Sequence, residues 1–309
     1  MARRRKRGRP INGVLLLDKG AGITSNGVLQ KVRGVYNAQK AGHTGTLDPF
    51  ATGLLPICFG EATKFSRYLT DAFKAYTAHV QLGVTTTTGD VDGEVLVRQP
   101  IPADLSLDTL LSHAYAFEGT TQQIPPMHSA LKQNGVPLYE LARQGITVER
   151  EARAITITEQ SMSAVDLTTG TFDWFIRCSK GTYIRSVVED LGQALGCGAH
   201  TVALRRESVG PFQLSDAVTF DVLQALRDQD NFDELDQFLL PMDVLFEGWD
   251  RVCVSQDESR KLRLGQSIAC EGNWPVEHEV CVLESDQTVI GVAVVTDDRQ
   301  LQPRRLVVT

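Results

Sequence analysis

The chain has 309 residues, 42% of them hydrophobic and 22% charged, and a net charge of −7 at pH 7. That length can bury one large core and a second small one, and the composition is that of an ordinary soluble globular protein. No apolar run approaches the ~20 residues of a membrane span, and the opening Met-Ala-Arg-Arg-Arg-Lys-Arg lacks the apolar segment of a secretory signal.

The charge is unevenly placed. Residues 1–67 carry twelve Lys/Arg against three Asp/Glu, a local +9 that leaves −16 for the rest. An acidic chain therefore still offers a basic block suited to phosphate contacts. Within it, residues 1–10 read as a basic, flexible tail. Cys58, Cys178, Cys197, Cys253, Cys270 and Cys281 are scattered, with neither Cys-x-x-Cys nor zinc spacing. They read as reduced residues of a cytoplasmic protein with no metal site.

In chain order, Ile11–Leu17 is a short apolar run closed by Asp18-Lys19-Gly20, which predicts a buried strand and a turn. Thr24, Ser25 and Asn26 offer N-cap oxygens for a helix whose apolar residues Val28, Leu29, Val32, Val35 and Tyr36 recur at helical spacing. Then comes Gly-His-Thr-Gly-Thr-Leu-Asp-Pro-Phe-Ala-Thr-Gly-Leu-Leu-Pro, residues 42–56, in which three glycines and two prolines surround one acid. Pro49 fixes its own φ and keeps Asp48 out of the α region, so Asp48 sits on a rigid, irregular loop. Between Arg9 and Arg67 its only fellow acids are Asp18 and Glu61. Such a carboxylate is a candidate nucleophile or general base. On spacing alone, an Asp that merely caps its own Asp-Pro turn is the commoner reading.

Leu54–Gly60 predicts a strand and Glu61–Asp71 a helix burying Ala62, Phe65 and Leu69. Tyr76–Leu82 alternates, with Tyr76, Ala78, Val80 and Leu82 on one face. Thr85–Glu94 is a polar turn whose acids do not meet the calcium-loop pattern. Leu105–Glu118 predicts a helix, and Ala154–Glu159 and Phe172–Cys178 alternate as strands. After the turn at Ser179-Lys180-Gly181 a helix begins at Thr182, with Ile184, Val187, Val188, Leu191 and Leu195 as its buried stripe and Gly196 as its end. Arg185 in its first turn opposes the helix dipole and calls for a partner such as a carboxylate. His200–Arg206 predicts a strand carrying Leu204, and Phe220–Leu240 is acidic and helical. Beyond a linker around Gly248, short apolar runs at Val252–Val254, Val280–Leu283, Val289–Val295 and Leu306–Val308 predict a small all-β domain.

Residues 42–56 resemble the catalytic-Asp motif of the TruB family of tRNA pseudouridine synthases. Ile11–Lys19 resembles that family's opening strand and Ser179–Arg185 its Tyr/Arg motif, and the likeness runs in order from about Ile11 to about Pro241. The resemblance implies an α+β fold: a catalytic domain over 11–248 with a central mixed, mostly antiparallel sheet flanked by helices, and a PUA-like all-β RNA-binding domain over 249–309, closed by Pro303–Val308. Gln122–Lys132 and Tyr139–Gly145 resemble the family's thumb insertion, about 122–153, laid over RNA. His128 stands where the family usually has Tyr or Phe.

The activity implied is isomerisation of uridine 55 in the T arm of tRNA, without cofactor or metal, by a cytoplasmic protein expected to be a monomer. Breaking C1′–N1, rotating the base and joining C1′ to C5 needs no redox change and no group donor, and the sequence has neither a P-loop nor a G-x-G-x-x-G fingerprint. The resemblance assigns Asp48 as the catalytic carboxylate and places Arg185 against it to hold it charged. Tyr76 would stack on the uracil and move the proton at C5. Tyr183 and Leu204 would line the pocket, and His43 would fill the space a flipped-out uridine leaves. Lys19, Lys64, Lys132, Arg143 and Lys180 are expected on RNA phosphates. An RNA-folding helper would account for the basic block and thumb equally well. A nucleoside hydrolase would account for Asp48 but not for the thumb or the C-terminal module.

Overall fold

The apolar run near the N-terminus becomes β1, Gly13–Lys19, buried almost throughout because both faces are covered. The computed structural model describes residues 8–307. The expected tail therefore lies outside the described residues as far as Arg7, and its last residues are not free. The Arg9 N–H donates to Asn37 O at 2.6 Å, and its guanidinium pairs with Asp236 and covers the Phe232 ring at 4.6 Å.

Thr24 caps α1, Ser25–Val35, its hydroxyl accepting from the Gly27 N–H as anticipated. A short β2, Ala41–His43, leads into the motif loop and β3, Thr52–Phe59. The helix expected over Glu61–Asp71 is broken in two, a 3₁₀ turn at Gly60–Lys64 and α2 at Ser66–Asp71. Phe65 between them leaves helical geometry to pack its ring 5.1 Å from Phe246. Then follow β4, Lys74–Leu82, a hairpin of Val84–Thr86 with Val95–Arg98, α3, Leu107–Tyr115, and β5, Gly119–Gln123. The segment expected as the thumb carries α4, Leu138–Arg143. The strand expected at Ala154–Glu159 is longer, β6 running Arg153–Asp166 through a polar half that the apolar pattern does not mark. It pairs with β7, Thr171–Cys178, which leads to α5, Ile184–Ala194, β8, Ala199–Val209, α6, Phe220–Asp228, and α7, Phe232–Gln237.

The central sheet runs from Val218–Thr219 through β1, β3, β8, β4, β7 and β6 to β5. Only the first pair and β3–β8 are parallel, so the sheet is mixed and mostly antiparallel. One face packs against α1 and α5, joining Leu15 and Leu17 to Val28 and Val32, and Val80 and Trp174 to Val188 and Leu191. In the β4–β8 pairing Tyr76 stands opposite Arg206 and Ala78 opposite Leu204, which puts all four on that face. Gly53 is where β3 crosses closest to β8. Its φ is +103°, and a Cβ there would lie 2.4 Å from Arg206 O.

The C-terminal unit is a five-stranded sheet of β9, Arg251–Val254, β10, Glu279–Glu284, β11, Val289–Val295, β12, Gln300–Leu306, and the short strand Ile268–Ala269. It also carries α8, Gln256–Arg263, closed by a Ser255/Glu258 capping box that the strand-by-strand reading passed over. The closing strand expected to reach Val308 runs to Leu306, and Val308 lies outside the described residues. Val14, Leu16, Leu54, Phe65 and Leu69 share one core with Phe246, Cys281, Leu283 and Val292, so the C-terminal module covers the second face of the central sheet where β1 and β3 lie.

Candidate active site

The motif loop is held almost entirely by buried groups on its backbone. Ser25 Oγ, at the start of α1, donates to Leu47 O at 2.9 Å and accepts from the Leu47 N–H at 2.7 Å. The Gly22 N–H donates to Pro49 O at 2.8 Å. Lys19, fully buried at the end of β1, donates to Gly20 O, Pro49 O and Ala51 O at 2.9, 3.3 and 2.6 Å. Arg206, equally buried, donates to Leu54 O at 2.6 Å and Gly45 O at 3.2 Å, one bond on each side of Asp48. Cations out of water need such acceptors. Burial still pushes the Lys19 ammonium down to about 8, against the pull of Asp48.

Asp48 Oδ2 lies 2.9 Å from Arg185 Nε, the carboxylate partner that the position of Arg185 called for. The guanidinium is a hub. Nη1 donates to Thr88 O at 2.6 Å and lies 3.3 Å from Asp90 Oδ2, and Nη2 donates to His128 O at 2.8 Å. Arg185 is 4% exposed, whereas the Asp48 side chain keeps 34%, so the pair is closed on the protein side and open on the other. Burial raises the Asp48 carboxyl above the usual range, the Arg185 charge and hydrogen bond pull it back, and Asp90 pushes it further up. The pairing expected to keep Asp48 charged is present, but the withdrawal from water outweighs it.

Tyr76 and Tyr183 both sense the Asp48 charge, and Leu204 shares the sheet face of Tyr76. Burial raises the Tyr76 phenol, and the Arg206 guanidinium beside it pulls it down. His43, at the end of β2, accepts from the Gly45 N–H at Nδ1, 3.4 Å away, which leaves its proton to Nε2. Burial and then Arg206 lower its pKa, so the ring is neutral at pH 7. Asp48, Arg185, Tyr76 and Tyr183 thus come from distant segments into one another's electrostatic reach, His43 joins them through Arg206, and Leu204 is tied to them by its place opposite Ala78 on the sheet face of Tyr76.

The cations expected on RNA divide. Lys19 is sealed on three carbonyls, out of reach of an RNA phosphate. Lys64 bridges Glu61, 2.5 Å away, and Leu306 O at 2.9 Å, tying the 3₁₀ turn after β3 to β12. Lys180 is exposed and 3.0 Å from Asp71. Lys132 is exposed on the thumb, and Arg143 lies over the Tyr139 ring at 5.5 Å. Asp90, Arg206 and Gln123 escaped the sequence reading, because each acts on residues dozens of positions away. For Asp90, the Gly-Asp-Val-Asp-Gly turn was the only local signal. Among the described residues no cluster of His, Cys, Asp and Glu is placed to hold a metal ion, and no helix is long and apolar enough to cross a membrane.

A mixed central sheet with helices packed on one face and a C-terminal β module matches the fold of solved structures. A Cbf5–Nop10–Gar1 complex aligns at a TM-score of 0.72 with 25% identity, covering 92% of this chain and 78% of the other. An H/ACA RNP bound to a substrate RNA containing 2′-deoxyuridine aligns at 0.73 with 22% identity, covering 99% and 92%. In sequence, residues 33–184 match the N-terminal domain of TruB family pseudouridylate synthases, residues 185–247 the tRNA pseudouridylate synthase B C-terminal domain, and residues 251–307 the pseudouridine synthase II TruB C-terminal domain. The tRNA pseudouridine synthase B of Ectopseudomonas mendocina (strain ymp) is 48% identical over 310 residues, covering 100% of this chain and 99% of its own. That of Pseudomonas aeruginosa (strain UCBPP-PA14) is 46% identical over 307 residues, 99% of each. The chain belongs to the TruB family of pseudouridylate synthases.

Proposed function

We propose that this chain converts uridine 55 in the T arm of tRNA into pseudouridine, acting in the cytoplasm as a monomer with Asp48 as its catalytic carboxylate. The observation that carries the reading is the Asp48–Arg185 contact at 2.9 Å, buried on one side and open on the other, where a nucleoside can enter. The reaction breaks C1′–N1 and makes C1′–C5 within one nucleoside. It therefore needs a carboxylate at the sugar or base, a guanidinium to hold that carboxylate, and a group to take the C5 proton. Asp48, Arg185 and Tyr76 fill these roles. Tyr183 and Leu204 line the uracil pocket. His43, neutral and at the mouth of the loop, occupies the space the flipped nucleotide leaves, and this offsets part of the few kcal/mol that unstacking costs. Lys132, Arg143 and Lys180 are the exposed cations left to meet phosphate.

The test is to incubate T-arm RNA with purified protein and map pseudouridine by position, with Asp48→Asn alongside. Product at one uridine with wild type, none with Asp48→Asn, and unchanged RNA binding is the expected result. Turnover surviving in the variant removes Asp48 from the mechanism.

A further inference from the structure

Tyr183 sits where the chain leaves the turn at 179–182 and enters α5, two residues before Arg185, and its side chain does not cap the helix. Its backbone is held from elsewhere. The Tyr183 N–H donates to Gln123 Oε1 at 2.8 Å, and Gln123 Nε2 donates to Tyr183 O at 3.0 Å. Gln123 is 5% exposed and ends β5, where the thumb begins. A side-chain amide that both donates to and accepts from one residue fixes that residue's position and its rotation together. Five residues further into the thumb, His128 O receives the Arg185 Nη2 proton at 2.8 Å. The root of the thumb and the start of α5 are thus joined at two points.

We propose that Gln123 is a positioning residue for the isomerisation. It seats the first turn of α5 on the thumb root, so that Arg185 reaches Asp48 and the Tyr183 ring faces the pocket. The inference rests on the proposed function and adds to it a residue that touches neither substrate nor Asp48. Its consequence for titration follows from what surrounds Asp48: Arg185 on α5, Asp90 in the polar turn, Lys19 on β1, Tyr76 on β4, His128 on the thumb and Tyr183. Of these, Arg185 is the strongest influence holding the Asp48 carboxyl down. Letting α5 shift weakens that influence and raises the Asp48 pKa.

The experiment uses the full chain with T-arm RNA and enzyme in excess, comparing wild type, Gln123→Met and Gln123→Glu. The first removes both bonds, and the second keeps the acceptor and loses the donor should Gln123→Met fail to fold; because its carboxylate adds a like charge that itself raises Asp48, only its rate is read and not its acid limb. The single-turnover rate at saturating enzyme falls about 10- to 100-fold in the variants, as small misplacements of catalytic groups do. RNA affinity holds, and the acid limb of the Gln123→Met rate profile moves to higher pH. Variants that melt earlier yet keep the wild-type rate, and for Gln123→Met the wild-type acid limb, make Gln123 a fold residue only and overturn the proposal. Wild-type protein that forms no pseudouridine overturns the functional reading instead, and is told apart by the wild-type lane.

Discussion

Phe246 is the residue on which the joining of the two modules can be measured. It is fully buried in the core common to the catalytic sheet and the C-terminal sheet, with ring centroids 5.1 Å from Phe65, 5.5 Å from Trp249 and 6.0 Å from Tyr68. Truncating a buried Phe to Ala costs about 3–5 kcal/mol. Three aromatic neighbours, each pair contributing about 0.5–1.5 kcal/mol beyond its buried area, place Phe246→Ala in the upper half of that range. Equilibrium urea unfolding followed by far-UV dichroism and by tryptophan fluorescence is the assay. Trp174 reports the catalytic core, and Trp249 and Trp274 the junction and the C-terminal module. Both signals should shift together. A wild type that unfolds in two separated transitions, or a Phe246→Ala shift worth less than about 1 kcal/mol, refutes the common core as the source of cohesion.

Lys19→Met tests the buried clamp on the motif loop. An ammonium whose folded pKa is pushed down to about 8 from 10.5 holds fewer protons folded than unfolded between those values, so it makes stability rise with pH across that window. The variant should flatten that part of a stability–pH curve, where the wild-type contribution is about 3 kcal/mol, and an unchanged curve argues against burial as the cause. Asp90→Asn removes the like charge that raises Asp48, so the acid limb of single-turnover rate should move to lower pH even as the rate falls; a shift upward contradicts the assigned cause. Lys64→Ala should lower the melting temperature without changing the salt dependence of RNA binding, since its ammonium is committed to Glu61 and Leu306. Lys132→Ala should reduce that salt slope by up to about 1, and equal slopes for the two variants would undo the distinction.

The alternating strands at β4 and β7, the Thr24-capped helix and the Asp48 loop were legible because each is written in a few consecutive residues. Arg185 was legible as a misfit, a cation at the wrong end of a helix dipole, and the structure supplies the carboxylate that explains it. What stayed hidden is long-range. That Lys19 would point at its own loop rather than at RNA depends on Pro49 and Ala51 folding back over β1, thirty or so residues on. The two-way bond between Gln123 and Tyr183 spans sixty positions and leaves no periodicity to detect. Helix α8 is a different kind of omission, since its Ser255–Glu258 capping box was there to read.

The welded junction around Phe246 and Trp249 also bears on encounter with RNA. A module held by a core it shares cannot swing toward a ligand, so the entropy of aligning two surfaces is spent when the chain folds and not again at each association. A nucleic acid that touches both surfaces meets a rigid template of fixed span, and the adjustment in shape on contact falls to the nucleic acid.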